Sequence, residues 1–166
     1  MAKNVYIYMN KNIVYKKLET DKEIIRAKGL ILEYIKWLNT DLSFQNIDDE
    51  LNNFPEKYQE PNGDFIIAKD NEDVIGCVGI RKIEKNVCEM KRLFVKDNYK
   101  GKGIGKKLVE KIMEEAKIKN YHKIRLDTSN TMQAALGIYY KFGFYDIKSY
   151  YNNPHDNIVY LEKIIN

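Results

Sequence analysis

The sequence is short of most patterns that mark specialised proteins. No apolar run approaches the about 18 residues a membrane-crossing helix needs, so no membrane partner is expected. The opening MAKNVYIYMNKN has too brief an apolar stretch for a secretory signal. The two cysteines, Cys77 and Cys88, are too few for a disulfide framework, and their spacing fits no zinc pattern. A reducing, cytoplasmic setting is the expectation. His122 and His155 are isolated from each other, so no metal site is predicted. Repeats and low-complexity linkers are also missing, and one domain over residues 1–166 is the simplest organisation. What remains is ordinary for a soluble folded protein: 44% hydrophobic and 31% charged residues exclude wholesale disorder.

Charge of one sign is scarce too, at +4 overall, but it is concentrated. Residues 96–111 hold Lys96, Lys100, Lys102, Lys106, Lys107 and Lys111 against Asp97 and Glu110, which accounts for the whole excess. A local basic patch points to a small polyanion. Long nucleic acid would call for a broader excess and an isoelectric point above about 9, and this one is 8.8. No nucleic-acid partner is expected.

Apolar periodicity gives the elements. A first strand falls at Val5–Tyr8 or Ile13–Lys17. Thr20 or Asp21 caps a helix in which Ile24, Ile25, Leu30, Ile31, Tyr34, Ile35 and Leu38 recur at helical spacing. A shorter helix fits Ile47–Phe54, opened by Asp48 or Asp49 and stopped before Pro55. Phe65–Lys69, Val74–Ile83 and Val87–Val95 read as an antiparallel meander divided by polar turns. A glycine-rich loop then leads into a helix ending near Lys119. Strand Lys123–Asp127, helix Thr131–Phe142, and strands Phe144–Tyr151 and Asn157–Ile164 complete the chain. The fold class is α+β, with one central mixed, mostly antiparallel sheet flanked by helices.

The loop carries chemistry. Helix N-termini leave about four N–H groups unpaired, and these can point at an anion. Gly101, Gly103 and Gly105 recur at every second residue. This spacing is neither the dinucleotide fingerprint, whose last glycine would fall on Lys106, nor the G-x-x-x-x-G-K-[ST] loop. The plainer alternative is a glycine-rich turn before a surface helix with a solvated lysine face.

Glu89-Met-Lys-Arg-Leu-Phe-Val-Lys-Asp-Asn-Tyr-Lys-Gly-Lys-Gly-Ile-Gly105 resembles the acetyl-CoA motif of the GNAT N-acetyltransferases, whose loop reads Arg/Gln-x-x-Gly-x-Gly/Ala. Ala135-Leu-Gly-Ile-Tyr139-Tyr-Lys-Phe-Gly143-Phe144 resembles the family's second motif, A-x-x-x-Y-x-x-x-G-F. The likeness spans roughly residues 65–163, and the N-terminal helices match the family's variable, substrate-side region. Lys100 stands where Arg or Gln is usual, keeping a cation without the planar fork. Met132 stands where the family often has Asn, with Asn130 two residues away as a substitute.

The resemblance implies a GNAT-like acyl-CoA N-acyltransferase fold and transfer of an acetyl group from acetyl-CoA to a primary amine. The acceptor would be a small molecule or amino-acid-like amine that attacks the thioester directly. The cofactor's pantetheine arm would bond backbone near Leu93 and Val95 like an added strand. Its pyrophosphate would lie on the N–H groups of Gly101, Lys102, Gly103, Ile104, Gly105 and Lys106, ringed by the lysines including Lys100. A backbone N–H at Leu93 or Phe94 would stabilise the oxyanion. Glu89, fourteen residues before Gly103, is the candidate base, with a pKa that burial would raise. Its plainer reading is an exposed strand glutamate paired with Lys91 or Arg92. Tyr139, four before Gly143, is the candidate acid for the departing thiolate, with Tyr140 as register rival. Its plainer reading is packing against the sheet.

Trp37, Asp41, Phe44 and Arg92 are candidates for the acceptor pocket. Cys77 and Cys88 read as core fillers, and His122 as a helix-to-strand turn residue. Two other outcomes stay open: a non-catalytic acyl-CoA-binding regulatory protein, and an acetyltransferase of protein amines or aminoglycosides. The last would favour an acidic rim, for which Asp41, Asp48, Asp49 and Glu50 are candidates. A homodimer is an open arrangement.

Overall fold

The computed structural model describes residues 12–166. Seven strands form one sheet in the order β1-β2-β3-β4-β5-β7-β6. The strands are β1 (Ile13–Lys17), β2 (Asp64–Asp70), β3 (Asp73–Glu84), β4 (Val87–Val95), β5 (Lys123–Ser129), β6 (Tyr145–Ile147) and β7 (Ile158–Ile164). The helices are α1 (Asp21–Leu38), α2 (Ile47–Asn52), α3 (Ile104–Ile118) and α4 (Gln133–Lys141). All neighbouring strands run antiparallel except β4 and β5. The Val5–Tyr8 alternative for the first strand lies outside the described residues.

The meander forms because β2 is apolar on both faces. Phe65 and Ile67 pack with Ala27, Leu30 and Ile31 of α1. Ile66 and Ala68, pointing the other way, pack with Leu108, Val109 and Ile112 of α3. Asn71 and Asn86 close the two turns in left-handed conformations that asparagine tolerates better than most residues.

Of the two candidate caps, Thr20 opens α1. Its hydroxyl accepts from Glu23 N–H at 3.2 Å, and Glu23 Oε2 accepts from the N–H groups of Thr20 and Glu19. This reciprocal cap satisfies donors the first turn cannot. Gly29 leaves α1 unbroken. The second helix ends two residues earlier than expected and starts at Ile47, with Asp48 and Asp49 inside its first turn rather than capping it.

Two departures matter for the site. The strand expected over 144–151 is only three residues long, β6. Beyond it, Tyr150 and Tyr151 turn their hydroxyls onto Glu89 and Asp127, at 2.7 and 2.6 Å, instead of extending the sheet. Second, β4 and β5 pair over only three registers, Val87↔Lys123 to Glu89↔Arg125, and then separate. On its other side β4 stays paired with β3 to Val95, but with Arg92 and Leu93 together opposing Val78. Arg92 takes φ +61° in this bulge, a strained conformation for a long side chain. Its guanidinium is gripped by buried Glu50, Nε–Oε2 at 2.8 Å and Nη2–Oε1 at 3.3 Å.

Glu23 ties α1 to the sheet through Lys16 at 3.0 Å and Lys69 at 3.2 Å. Burial works against its charge, but these hydrogen bonds and those from the Thr20 and Glu19 backbone win, bringing its pKa from 4.5 to about 2. A depressed carboxylate stabilises the fold above its unfolded pKa and loses that contribution as pH falls through the folded value. We therefore expect Glu23→Gln to lower Tm at pH 7 and to shrink the loss of Tm between pH 5 and pH 2. An unchanged pH dependence in thermal melts would exclude Glu23 as a contributor to acid sensitivity.

Candidate active site

Two cavities open from the gap between β4 and β5, and Met132 lines both. The larger, about 660 Å³, runs along the free edge of β4 at Leu93, Phe94 and Val95 to the loop before α3. Lys100, Gly101, Gly103, Ile104, Gly105 and Lys106 form its far end, and Thr131 to Ala135 with Ile138 its other wall. Gly101 and Gly103 have φ of +75° and +78°, and nothing lies within 4 Å of where a Cβ would stand. Only glycine adopts that backbone cheaply. Within α3 the first N–H turned back into the helix is that of Lys107, on Gly103 O at 3.1 Å. The N–H groups of Ile104, Gly105 and Lys106 are therefore left at the open end of the helix.

The basic patch does not converge there as expected. Lys100 and Lys106 line the cavity. Lys100 lies over the Trp37 ring at 4.3 Å while pairing with Asp97 at 2.7 Å. Lys102 turns back to Asn98 O at 3.1 Å. Lys107 and Lys111 pair with Glu110 and Glu114 on their own helix, and Lys96 lies 3.8 Å from Glu33. Acids three residues away capture Lys100, Lys107 and Lys111.

The smaller cavity, about 350 Å³, is lined by Tyr34, Phe44, Gln45, Lys91, Arg92, Asp127, His155 and Asp156 among others. The segment after β6 closes it. His155 Nε2 donates to Asp41 O at 2.7 Å, and its ring meets Phe44 edge-on. Asp127 Oδ2 accepts from Tyr151 O–H at 2.6 Å and Asn153 Nδ2 at 3.2 Å.

Of the acceptor-pocket candidates, Phe44 and Arg92 reach this cavity. Trp37 lines the larger one instead, and Asp41 contributes a carbonyl to His155 while its carboxylate caps Ser43. Asp48, Asp49 and Glu50 do not line it, so no acidic rim forms from the expected residues. Asn130 lines neither cavity.

Glu89 is 2% exposed, not a solvent-facing strand residue. Its Oε1 accepts from Arg81 Nε at 3.1 Å and Nη2 at 3.0 Å, with Lys91 Nζ at 3.6 Å, and its Oε2 accepts from Tyr150 O–H at 2.7 Å. Arg92, the other expected partner, belongs to Glu50. Burial pushes the Glu89 carboxyl up, but Lys91, Arg81 and Tyr150 outweigh it and hold it below the usual range. The expected upward shift is reversed because cations came in with the burial. Lys91 is pushed down by burial and by neighbouring Arg92. Tyr139 packs against Phe144 in the core, 5% exposed. Burial raises its phenol, with Tyr34 and Asp127 adding to the rise. Neither Glu89 nor Tyr139 lines either cavity.

Sequence reading passed over Asp127, Tyr150, Tyr151, Asn153 and His155 as functional residues. Only strand alternation, which puts Glu89, Lys91, Arg125 and Asp127 on one sheet face, carried a signal for any of them. His122 sits where expected, between α3 and β5. Among the described residues no cluster of three metal-ligating side chains occurs, and no helix is long and apolar enough to cross a membrane.

A parting of two parallel strands, with a glycine loop and helix end at one side of the gap, defines an acyl-CoA-type transferase fold. A profile of the Acetyltransferase (GNAT) family matches residues 31–144. An uncharacterized N-acetyltransferase of Dictyostelium discoideum is 34% identical over 92% of this chain and 99% of its own length. A GNAT-family acetyltransferase structure from Staphylococcus aureus superposes with TM-score 0.76 at 23% identity, covering 93% of this chain and 99% of that one. The PaiA N-acetyltransferase of Thermoplasma acidophilum, solved with coenzyme A, does so at 0.70 and 19% identity, covering 92% and 99%. The chain belongs to the GNAT acetyltransferase family and is an N-acetyltransferase.

Cys77 and Cys88 are fully buried, and burial pushes both thiols up to about 12. The thiolate is the reactive form. Iodoacetamide at neutral pH should spare both in the native protein and modify both after guanidinium unfolding. Rapid native labelling of either would show a reactive, accessible thiol and overturn its reading as a core filler.

Proposed function

We propose that this enzyme moves an acetyl group from acetyl-CoA to the primary amine of a small-molecule or amino-acid-like acceptor, by direct attack of the amine on the thioester. The observation that carries this reading is the pair of cavities sharing Met132, one ending at a helix N-terminus free for phosphate and the other walled by charged side chains. The residues suit coenzyme A: left-handed glycines, unpaired N–H groups and two lysines at one end, an unpaired strand edge along the other.

Bound acetyl-CoA supplies an activated thioester carbonyl. In this reading the β4 backbone at Leu93 and Val95 bonds the pantetheine arm. The N–H groups from Gly101 to Lys106 take the pyrophosphate, with Lys100 and Lys106 beside it. An N–H at Leu93 or Phe94 receives the charge that builds on the carbonyl oxygen.

Glu89 is the proposed base. Its cations keep it ionised at neutral pH and so able to accept a proton. Since it does not line the cavity, the amine's proton must reach it through an intervening hydroxyl or water. Tyr139 is the proposed acid, because burial keeps its phenol protonated until a thiolate needs it. The same reading puts the protein in the cytoplasm, supported by two buried thiols that ask for no oxidising compartment.

Thiol release from acetyl-CoA with a panel of small amines, amino acids, aminoglycosides and peptides tests the reading. Glu89→Gln and Tyr139→Phe should each lower kcat by about 100-fold or more while coenzyme A affinity holds. Tight coenzyme A binding with no turnover for any amine would favour a regulatory acyl-CoA binder. Lys106→Ala should weaken coenzyme A binding several-fold, and Lys102→Ala less, because its amine is turned back to Asn98. Equal losses would restore the full lysine ring.

A further inference from the structure

The smaller cavity sets a cluster with one positive charge in excess opposite a half-buried carboxylate that has no ion pair among the described residues. Every carboxylate more than nine-tenths buried has a cation: Glu23 has Lys16 and Lys69, Glu50 has Arg92, Asp64 has Lys17, Glu89 has Arg81, and Glu162 has Arg125. Asp127, half-buried in the cavity wall, has no ion-pair partner among the described residues. Its Oδ2 is held by the neutral donors of Tyr151 and Asn153, and Oδ1 is left for something else.

Opposite, two cations share one carboxylate. Arg81, through two nitrogens, and Lys91, at 3.6 Å, both pair with Glu89 Oε1, so the cluster keeps one positive charge in excess. Lys91 is 8% exposed and gives one hydrogen bond to Gln45 Oε1 at 3.2 Å. Arg92 is paired with Glu50 beside Lys91, and Asp156 stands exposed at the rim. Lys91 and Asp127 lie on the same sheet face, each two residues past the last bonded pair, Glu89↔Arg125, where the strands part. A half-buried charge without a partner is costly, and a ligand of opposite charge relieves it.

We propose that the acceptor is an amino acid, its ammonium held by Asp127 and its carboxylate by Lys91. This rests on the acetyltransferase reading of the same cavity and narrows it. Asp127 is a binding residue that fixes where the nitrogen sits. Lys91 is a specificity residue that disfavours amines lacking an anion, because such an amine leaves the excess positive charge of the Arg81–Lys91–Glu89 cluster uncompensated.

Calorimetric titration of the coenzyme A-loaded protein tests it. The ligands are the common L-amino acids, β-alanine and 4-aminobutyrate, each set beside the amine that lacks its carboxylate. At least one amino acid should bind about 10- to 100-fold more tightly than its carboxylate-free counterpart. Lys91→Met should abolish that preference, Lys91→Arg should keep part of it, and Asp127→Asn should weaken both ligands. Plain amines binding as well as amino acids, or no binding by any amino acid, would overturn the proposal. The comparison within the unaltered protein decides this even if a variant fails to fold. Thiol release is read separately: preference in binding without turnover would sink the enzyme reading and keep the zwitterion site, while turnover without preference would do the reverse.

Discussion

The separation of β4 from β5 after three paired registers is the constraint on which the site depends. Buried backbone donors and acceptors must find partners. Past Glu89, β4 meets that demand toward β3 alone, leaving its other edge as the wall of a cavity. The bulge at Arg92 shifts the residues that follow along this edge. It needs a left-handed arginine, and the Arg92–Glu50 pair grips that residue from α2. Helix α2 thus braces the strand edge that faces the gap.

Charge follows the same geometry. Where strands pair closely, cations and carboxylates pair too: Glu89 with Arg81, and Arg125 with Glu84 and Glu162. Where the strands part, Lys91, which shares Glu89 with Arg81, and Asp127, which has no ion pair among the described residues, face one cavity. The tyrosines after β6 occupy the boundary, spending their hydroxyls on Glu89 and Asp127. That use of Tyr150 and Tyr151 explains why the strand expected to run on through them stops at Ile147.

The parts of this protein set by neighbours in the chain were legible in its sequence. The start of α1 at Thr20 or Asp21, the meander between Phe65 and Val95, the glycine loop and the amphipathic α3 all follow from local conformational preference and periodicity. The two family motifs, strand to loop to helix and then Tyr139 to Phe144, were legible through their resemblance to a known family. Side-chain destinations were not. Trp37 went to the larger cavity and Asp41 to a carbonyl contact with His155, because one turn of α1 and the loop after it decide which side of the gap each faces. Lys107 and Lys111 chose acids three residues along their own helix over the loop, and Lys102 a backbone carbonyl.

The sequence by itself determined that a glycine-framed helix end would follow an apolar strand, and that a carboxylate at position 89 would lie on that strand. Only the tertiary structure decided that Arg81, eight residues away, Lys91 and Tyr150, sixty-one residues away, would surround that carboxylate and hold it ionised. Burial alone would have raised its pKa. The field at a buried group depends on every charge packed around it, and that packing is a property of the closed sheet, not of any segment within it.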